Sequence, residues 1–338
     1  MNNRLGALED FVYNGNVYGG VAQRLLTNGF NTNALRPFGV NAVLRKDEWK
    51  VLDDTVVDIS KKRLIGVQDL TSRGLVYNIP NGLGTTVLEH ETISDMDDAE
   101  MNMDGAAPPS EDRVKYSIGY LPLPIVHSGF RINIRALNAS RMRGAPLDTT
   151  QAAIAARKVA EKIETVLFQG ASAYTFGGGT LRGYVDHPSR VTGSLGDYWN
   201  SASAAGSLIL DDALAMKQAS IDAKRYGPWG LYVPTMYETA LDADFKANGD
   251  LTIRERLLEV EGFEFVKTAD FMATSTHQVL LVELQPDTAR MVVGLQPTTV
   301  EWESQGGMIT HYKVMAIMVP QIRADQDGNC GIIHYSKS

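Results

Sequence analysis

Apolar residues recur at steps of four and three from Ala152 through Ala156, Val159 and Ile163 to Val166, which places them on one stripe of a helix. Asp148 stands where an N-cap belongs, Gln151 follows three residues later in a capping-box pattern, and Gly170 ends the period as a C′ residue. The spacing predicts a helix over 148–169, roughly 30 Å long at 1.5 Å per residue, enough to serve as the beam of a domain. A second helical period, Leu44, Trp49, Leu52, Val56 and Ile59, predicts an amphipathic helix between Leu44 and Ile65. Its charged face holds Lys46, Asp47, Lys50, Asp53 and Asp54, and it either packs on its own domain or lines an inner surface.

Between these helices the period changes to that of strands. Gly66-Val67 and Leu75-Val76-Tyr77 precede Pro80-Asn81-Gly82, and Thr85 to Leu88 follow, a pattern that predicts a hairpin over the Asn-Gly turn. An acidic, apolar-poor stretch from Glu91 to Asp112 comes next, broken by Gly105 and Pro108-Pro109. A long hairpin with such a sequel has little of its own chain to bury, and would find cover on a neighbouring copy. Residues 116–134 read as a strand pair whose prolines exclude a central helix. After Gly177-Gly178-Gly179, residues 184–206 read as loop. Helices at 211–225, 236–245 and 253–260 then alternate with strands at 231–234, 263–267, 279–282 and 290–294. A hairpin over Gly306-Gly307 spans 299–318, GIIHY is a terminal strand, and residues 1–40 read as an arm with at most a short helix at 18–26.

Composition narrows the class. The chain has 338 residues, 44% hydrophobic and 21% charged, which fits two folded domains or one elongated domain and excludes a largely disordered chain. No apolar run approaches the roughly 18 residues a membrane span needs. Glu9 and Asp10 stand where an export signal has its apolar stretch, so no such signal is expected; the presence of Met1 leads to the separate expectation that no N-terminal scaffolding domain is removed. The single cysteine, Cys330, excludes a disulfide framework and any cysteine-cluster metal site. With 32 basic and 40 acidic residues the net charge is −8, too acidic to coat nucleic acid by bulk attraction. The charge is segregated: Arg45, Lys46, Lys50, Lys61, Lys62 and Arg63 make a basic N-terminal region, whereas residues 83–112 contain neither Lys nor Arg.

Catalytic patterns are missing their essential members. No phosphate-binding G-x-x-x-x-G-K-[ST] occurs, and the triple glycine at 177–179 has no lysine after it, so it reads as a flexible turn. His90-Glu91 starts a zinc-protease pattern, but Ser94 occupies the second ligand position. Ser172 has Gly170 before it and Tyr174 after it, which is no nucleophile elbow. The histidines at 90, 127, 187, 277, 311 and 334 form no ligand pair at helix or hairpin spacing. Glu100, Asn102, Asp104, Gly105 and Glu111 fall at positions one, three, five, six and twelve of a calcium loop. Glu in place of Asp at the first position, the later prolines and the lack of flanking helices favour an acidic solvated loop instead, with neither metal nor cofactor.

The segment YLPLPIVHSGFRINIRALNASRMRGAPLDTTQAAIAARKVAEKIETVLFQG resembles the corresponding segment of encapsulin (linocin-like) shell proteins. In those proteins a Pro-Leu strand, a short helix and a Gly-x-Pro-x-Asp link lead into a spine helix. VLRKDEWKVLDDTVVDISKKRLIG resembles their first helix and LRGYVDHP their segment after the spine, in register from about Val43 onward. Encapsulins share the Hong Kong 97 capsid fold with the major capsid proteins of tailed phages. The resemblance implies an α+β chain with an N-terminal arm and first helix at 1–63, an extended E-loop at 64–115 and a peripheral domain with the spine helix at 116–189. An axial α/β domain at 190–290 and closing strands at 291–338 would complete it.

Some forty residues before the first helix and an inserted stretch at 94–115 would enlarge contacts between neighbours. They favour a phage major capsid protein enclosing double-stranded DNA, assembled in the host cytoplasm, over a compartment for protein cargo. The implied partners are other copies in hexamers and pentamers, packaged DNA held non-specifically, and the portal, scaffolding and cement proteins of such shells, with no membrane. Arg45, Lys46, Lys50, Lys61, Lys62 and Arg63 are the candidates for inner-face contact with DNA or cargo. A soluble two-domain α/β enzyme is the reading from another class, and the failed motifs speak against it. Relatives that weld their shells by a lysine–asparagine isopeptide bond use a lysine near the E-loop tip, and residues 83–112 have none. Boiled particles are therefore expected to run as a single monomer band on denaturing gels; a covalent ladder would contradict this.

Overall fold

The computed structural model describes residues 11–13, 16–18, 65–93, 101, 103, 116–135, 138, 150–201, 205–246, 249, 251–272, 277–325 and 327–337. The chain divides into two compact units. The smaller contains residues 1–54, 129–152 and 299–313, and the larger contains 55–128, 153–298 and 314–338.

In the smaller unit, strands β1 (Phe11–Tyr13) and β2 (Asn16–Tyr18) pair antiparallel. In the larger unit, helix α1 (Ile65–Ser72) forms where strand residues were expected, and β3 (Val76–Asn78) follows. Gly66 and Val67 belong to the helix because their backbone N–H groups donate to the Glu164 carboxylate at 2.5 and 3.4 Å, so a long-range partner satisfies its N-terminus. The expected hairpin over Asn81-Gly82 is not formed. β3 pairs parallel with Met291–Val293, and the turn at 81–84 packs its Gly82 against the backbone of Gly294. The hairpin that does form joins β4 (Val87–Ile93) to β5 (Tyr116–Pro122), antiparallel from Val87↔Pro122 to Ile93↔Tyr116. β5 therefore does not pair with β6 (Val126–Asn133), which neighbours β14 (Ile309–Ile322).

Helix α2 (Thr150–Gln169) is the expected spine, with Ala152, Ala156, Val159, Ile163 and Val166 all buried. Its proposed N-cap, Asp148, lies outside the described residues. Gly170 takes a φ of +75° beyond its last turn. The N–H groups of Tyr184 and Val185 donate to the carbonyls of Leu167 and Phe168 at 2.9 Å, so the returning chain closes the helix end. Before that return come β7 (Ala171–Phe176) and β8 (Gly179–Leu181). Strand β9 (Val191–Ser194) lies in the stretch read as loop; it is four residues long and flanked by turns, too short for its period to show.

The α/β region is a five-stranded sheet of order β11-β10-β12-β15-β9, with β10 (Trp229–Val233), β11 (Phe263–Thr268), β12 (His277–Glu283) and β15 (Ile332–Lys337). β10 is buried throughout, as a central strand covered on both faces must be. Helices α3 (Gly206–Asp222), α4 (Glu238–Leu241) and α5 (Ile253–Leu258) accompany it, and α5 opens on a capping box of Thr252 and Glu255. Trp199, Ile209, Met216, Leu231, Leu241, Leu257 and Leu281 form one core. The expected closing hairpin exists: β13 (Ala289–Ser304) turns through Gln305–Gly307 into β14. In the smaller unit its end is clamped by stacking of Trp302 on His311, at 5.3 Å, and of Phe130 on Tyr312, at 4.9 Å.

Two buried carboxylates hold α1 in the larger unit. Asp69 accepts from Tyr232 Oη at 2.9 Å and pairs with Lys267, while Glu164, 1% exposed, caps α1. Desolvation raises the Glu164 pKa to about 7, outweighing the two backbone donors that favour its charge. With a folded pKa above its ordinary 4.5, this group contributes stability that is full below pH 4.5 and is lost as the pH rises through 7. The difference is on the order of 3 kcal/mol. Thermal denaturation followed by circular dichroism is expected to show the wild type falling by a few degrees between pH 5 and 8, with Glu164→Gln, which keeps an acceptor for Gly66, nearly flat. Equal slopes in the two proteins would remove Glu164 as the cause.

Candidate assembly surface

The β4–β5 ribbon has two faces set by a period of two. On one, Leu88 and Leu121 face each other in register and join a core with Leu123, Leu181, Val292, Ile317 and Val319. Further out on the same face lie the pairs His90↔Gly119 and Thr92↔Ser117. The other face carries Tyr120, Ile118 and Tyr116, which are 40, 57 and 66% exposed, opposite Glu89, Glu91 and Ile93.

The base of this second face is covered by the β7–β8 turn. Gly177 and Gly178 adopt φ of +59° and +84°, and a Cβ at Gly177 would strike Val87 while one at Gly179 would strike the Tyr120 carbonyl. The triple glycine is thus a tight turn packed on the ribbon, not the flexible one its composition suggested. Beyond it, Ile118 and Tyr116 are exposed, and β7 adds exposed Tyr174 and Phe176. In the segment joining the strands, Met101 and Met103 are 97 and 106% exposed. Large apolar side chains exposed in a row along a strand are a surface built to be covered. Burying each is worth roughly 1.5–3 kcal/mol, so four or five of them outweigh the ordering of the ribbon only when a partner supplies the cover.

The sequence signal for this surface was legible in part. Tyr116, Ile118 and Tyr120 alternate with Ser117 and Gly119, which gives the strand but not which face is covered. Met101 and Met103 stand in a stretch whose composition reads as acidic loop. The residues singled out as inner-face contacts, Arg45, Lys46, Lys50, Lys61, Lys62 and Arg63, and the calcium-like set Glu100, Asn102, Asp104 and Glu111 all lie outside the described residues. Among the described residues no group of three or more His, Cys, Asp or Glu is placed to hold a metal ion, and no helix is long and apolar enough to cross a membrane. The histidines serve locally: His277 Nδ1 bonds Tyr237 Oη at 2.9 Å, and His334 Nε2 bonds Gln278 at 3.1 Å. Burial pushes the Cys330 thiol up to about 11, which keeps it protonated.

Residues 39–335 match a family described as a family of unknown function (DUF6260). The chain belongs to this family. This DUF6260 protein is 23% identical over 213 residues to the type 1 encapsulin shell protein EncA of Myxococcus xanthus (strain DK1622), covering 62% of this chain and 68% of that protein. Its structure is similar to that of a virus-like particle from Pyrococcus furiosus, with a TM-score of 0.58, 17% identity and coverage of 85 and 98% of the two chains. The capsid of Myoviridae phage XM1 matches with a TM-score of 0.60 at 11% identity, over 80% of this chain and 92% of that one. The DUF6260 chain has the Hong Kong 97 capsid fold, α+β as its sequence implied. Its named relatives are capsid and shell proteins.

Proposed function

We propose that this protein is the major capsid protein of a tailed-phage-type shell, forming hexamers and pentamers that enclose double-stranded DNA. The observation that carries the reading is the exposed apolar row Tyr116, Ile118 and Tyr120 on one face of the ribbon, with exposed Met101 and Met103 in the segment joining its strands. A shell subunit performs no chemistry; it buries apolar area against several neighbours at slightly different angles, and a ribbon tolerates bending because its own hydrogen bonds run between its two strands. Each contact is modest, and many per subunit sum to a cooperative particle. The residues before the first helix and the stretch at 94–115 supply further reach toward neighbours. In this reading the basic set Arg45, Lys46, Lys50, Lys61, Lys62 and Arg63 faces the packaged DNA and offsets locally the net charge of −8. Portal, scaffolding and cement proteins are the partners such a shell takes, and assembly occurs in the host cytoplasm.

A second reading, a nanocompartment enclosing protein cargo, is favoured by the similarity to the encapsulin shell protein. Electron micrographs of the purified protein are expected to show closed particles, and their contents separate the readings. Nuclease-protected double-stranded DNA supports the capsid, a co-purifying protein cargo supports the compartment, and a monomer in sedimentation at micromolar concentration overturns both. Ile118→Asp is expected to leave secondary structure and stability within about 0.5 kcal/mol, because the side chain is exposed in the subunit. The same change should raise the concentration needed for particle formation by at least roughly tenfold, since a charge would have to be buried at the contact. Normal particles from this variant would exclude the ribbon face from assembly.

A further inference from the structure

The inner face of the β4–β5 ribbon does not pack fully on its own unit. Past the Leu88–Leu121 pair it opens into a cleft of about 450 Å³. Its walls are His90, Thr92 and Ser117 from the ribbon, His187 and Ser189 from the loop before β9, and Arg323 after β14. Gly119 makes the cleft possible: the imidazole of His90 lies across it, and a Cβ there would sit 2.6 Å from the ring.

The lining holds one cation, Arg323, and one carboxylate, Asp325. Arg323 is half-buried, and its guanidinium makes no hydrogen bond or ion pair with any described residue. Asp325, the carboxylate in the lining, is already engaged by the backbone N–H and the side-chain amide of Asn329, at 2.6 and 2.9 Å. Arg290 stands close enough to act on His90; it is bonded to the neutral Gln321 at 2.6 Å and lies within the influence of the Asp287 carboxylate. Arg190 is bonded to His334 Nδ1 and to the His187 carbonyl. Both cleft imidazoles are held neutral, first by burial and then by nearby arginines: His187, at about 4, by Arg182 and Arg190, and His90, below its ordinary value, by Arg323 and Arg290. His187 Nδ1 accepts from Ser189 N at 3.3 Å, so its proton sits on Nε2. Three hydroxyls, two neutral imidazoles and the Arg323 guanidinium therefore line the cleft beside a carboxylate whose hydrogen bonds are already engaged by Asn329.

We propose that this cleft binds a phosphate-type oxyanion, with Arg323 as its charged fork and Thr92, Ser117 and Ser189 as hydroxyl donors. A guanidinium matches two oxygens of a tetrahedral anion, and hydroxyls on the opposite wall can take the others. The bound anion would tie the ribbon to the segment after β14 and set its angle. Because every residue named belongs to one unit of one chain, the site does not depend on the shell reading.

The test is equilibrium dialysis of the purified protein against radiolabelled inorganic phosphate, with chloride at equal ionic strength as competitor. Saturable binding of one phosphate per chain is expected. Arg323→Met should weaken it at least roughly tenfold, Arg323→Lys less, and Thr92→Val combined with Ser117→Ala several-fold, with circular dichroism confirming that each variant folds. Displacement of bound phosphate by a short DNA duplex would support the site and assign it to a nucleic-acid backbone. Failure of the duplex to displace it would support a site for the free ion. No saturable binding by the wild type, or equal binding by Arg323→Met, overturns the proposal.

Discussion

Strand β5 pairs with β4 from Val87↔Pro122 to Ile93↔Tyr116, and that register commits every side chain of the ribbon to one of two faces. Leu88 and Leu121 can reach the core only if Tyr116, Ile118 and Tyr120 point the other way. A slip of one residue would exchange the two sets, placing Glu89 and Glu91 against Val292 and Ile317, so core packing enforces the register. What is left bare on the far side is the consequence of the same period. The assembly reading therefore rests on a geometric necessity of pleated strands and not on surface hydrophobicity in general.

Such a ribbon transmits contact only if its root is rigid. The β7–β8 turn presses glycine backbone against Val87 and Tyr120, an approach no side chain would permit. Helix α1 is fastened at both levels, by Glu164 on its N–H groups and by Asp69 to Tyr232 and Lys267. Tyr184, Phe168 and Tyr232 surround these carboxylates with ring centroids 5.1–6.4 Å apart, and the low local polarity explains why Glu164 holds its proton to near neutral pH. Burying these groups costs stability at alkaline pH and gives α1 a single seat on α2. The pattern is an exchange of some stability for a defined geometry at the place where the ribbon begins.

Charge follows the same division of faces. Glu89 and Glu91 flank the apolar row on the outer side, while the inner cleft gathers Arg323, Arg290 and two neutral histidines. The carboxylates of β4 and the Arg323 side of the cleft thus lie on different faces of one ribbon. Net charge alone, which is negative, conceals this separation.

The sequence by itself determined the elements whose signal is local. The spine helix announced itself through a stripe from Ala152 to Val166 and the closing hairpin through Gly306-Gly307, because periodicity and turn chemistry act over a few residues. The resemblance carried in the Tyr120–Gly170 segment added the Hong Kong 97 fold. Only the tertiary structure decided the pairings. Asn81-Gly82 looked like a hairpin turn, yet β3 found its partner more than two hundred residues away at Met291–Val293. Gly66-Val67 looked like strand until Glu164 supplied a cap for a helix. The cleft at Arg323 draws on three separated segments, none conspicuous alone. Strand partners, helix caps and pocket walls are set by which distant groups can satisfy one another in the packed state, and no short stretch of chain contains that information.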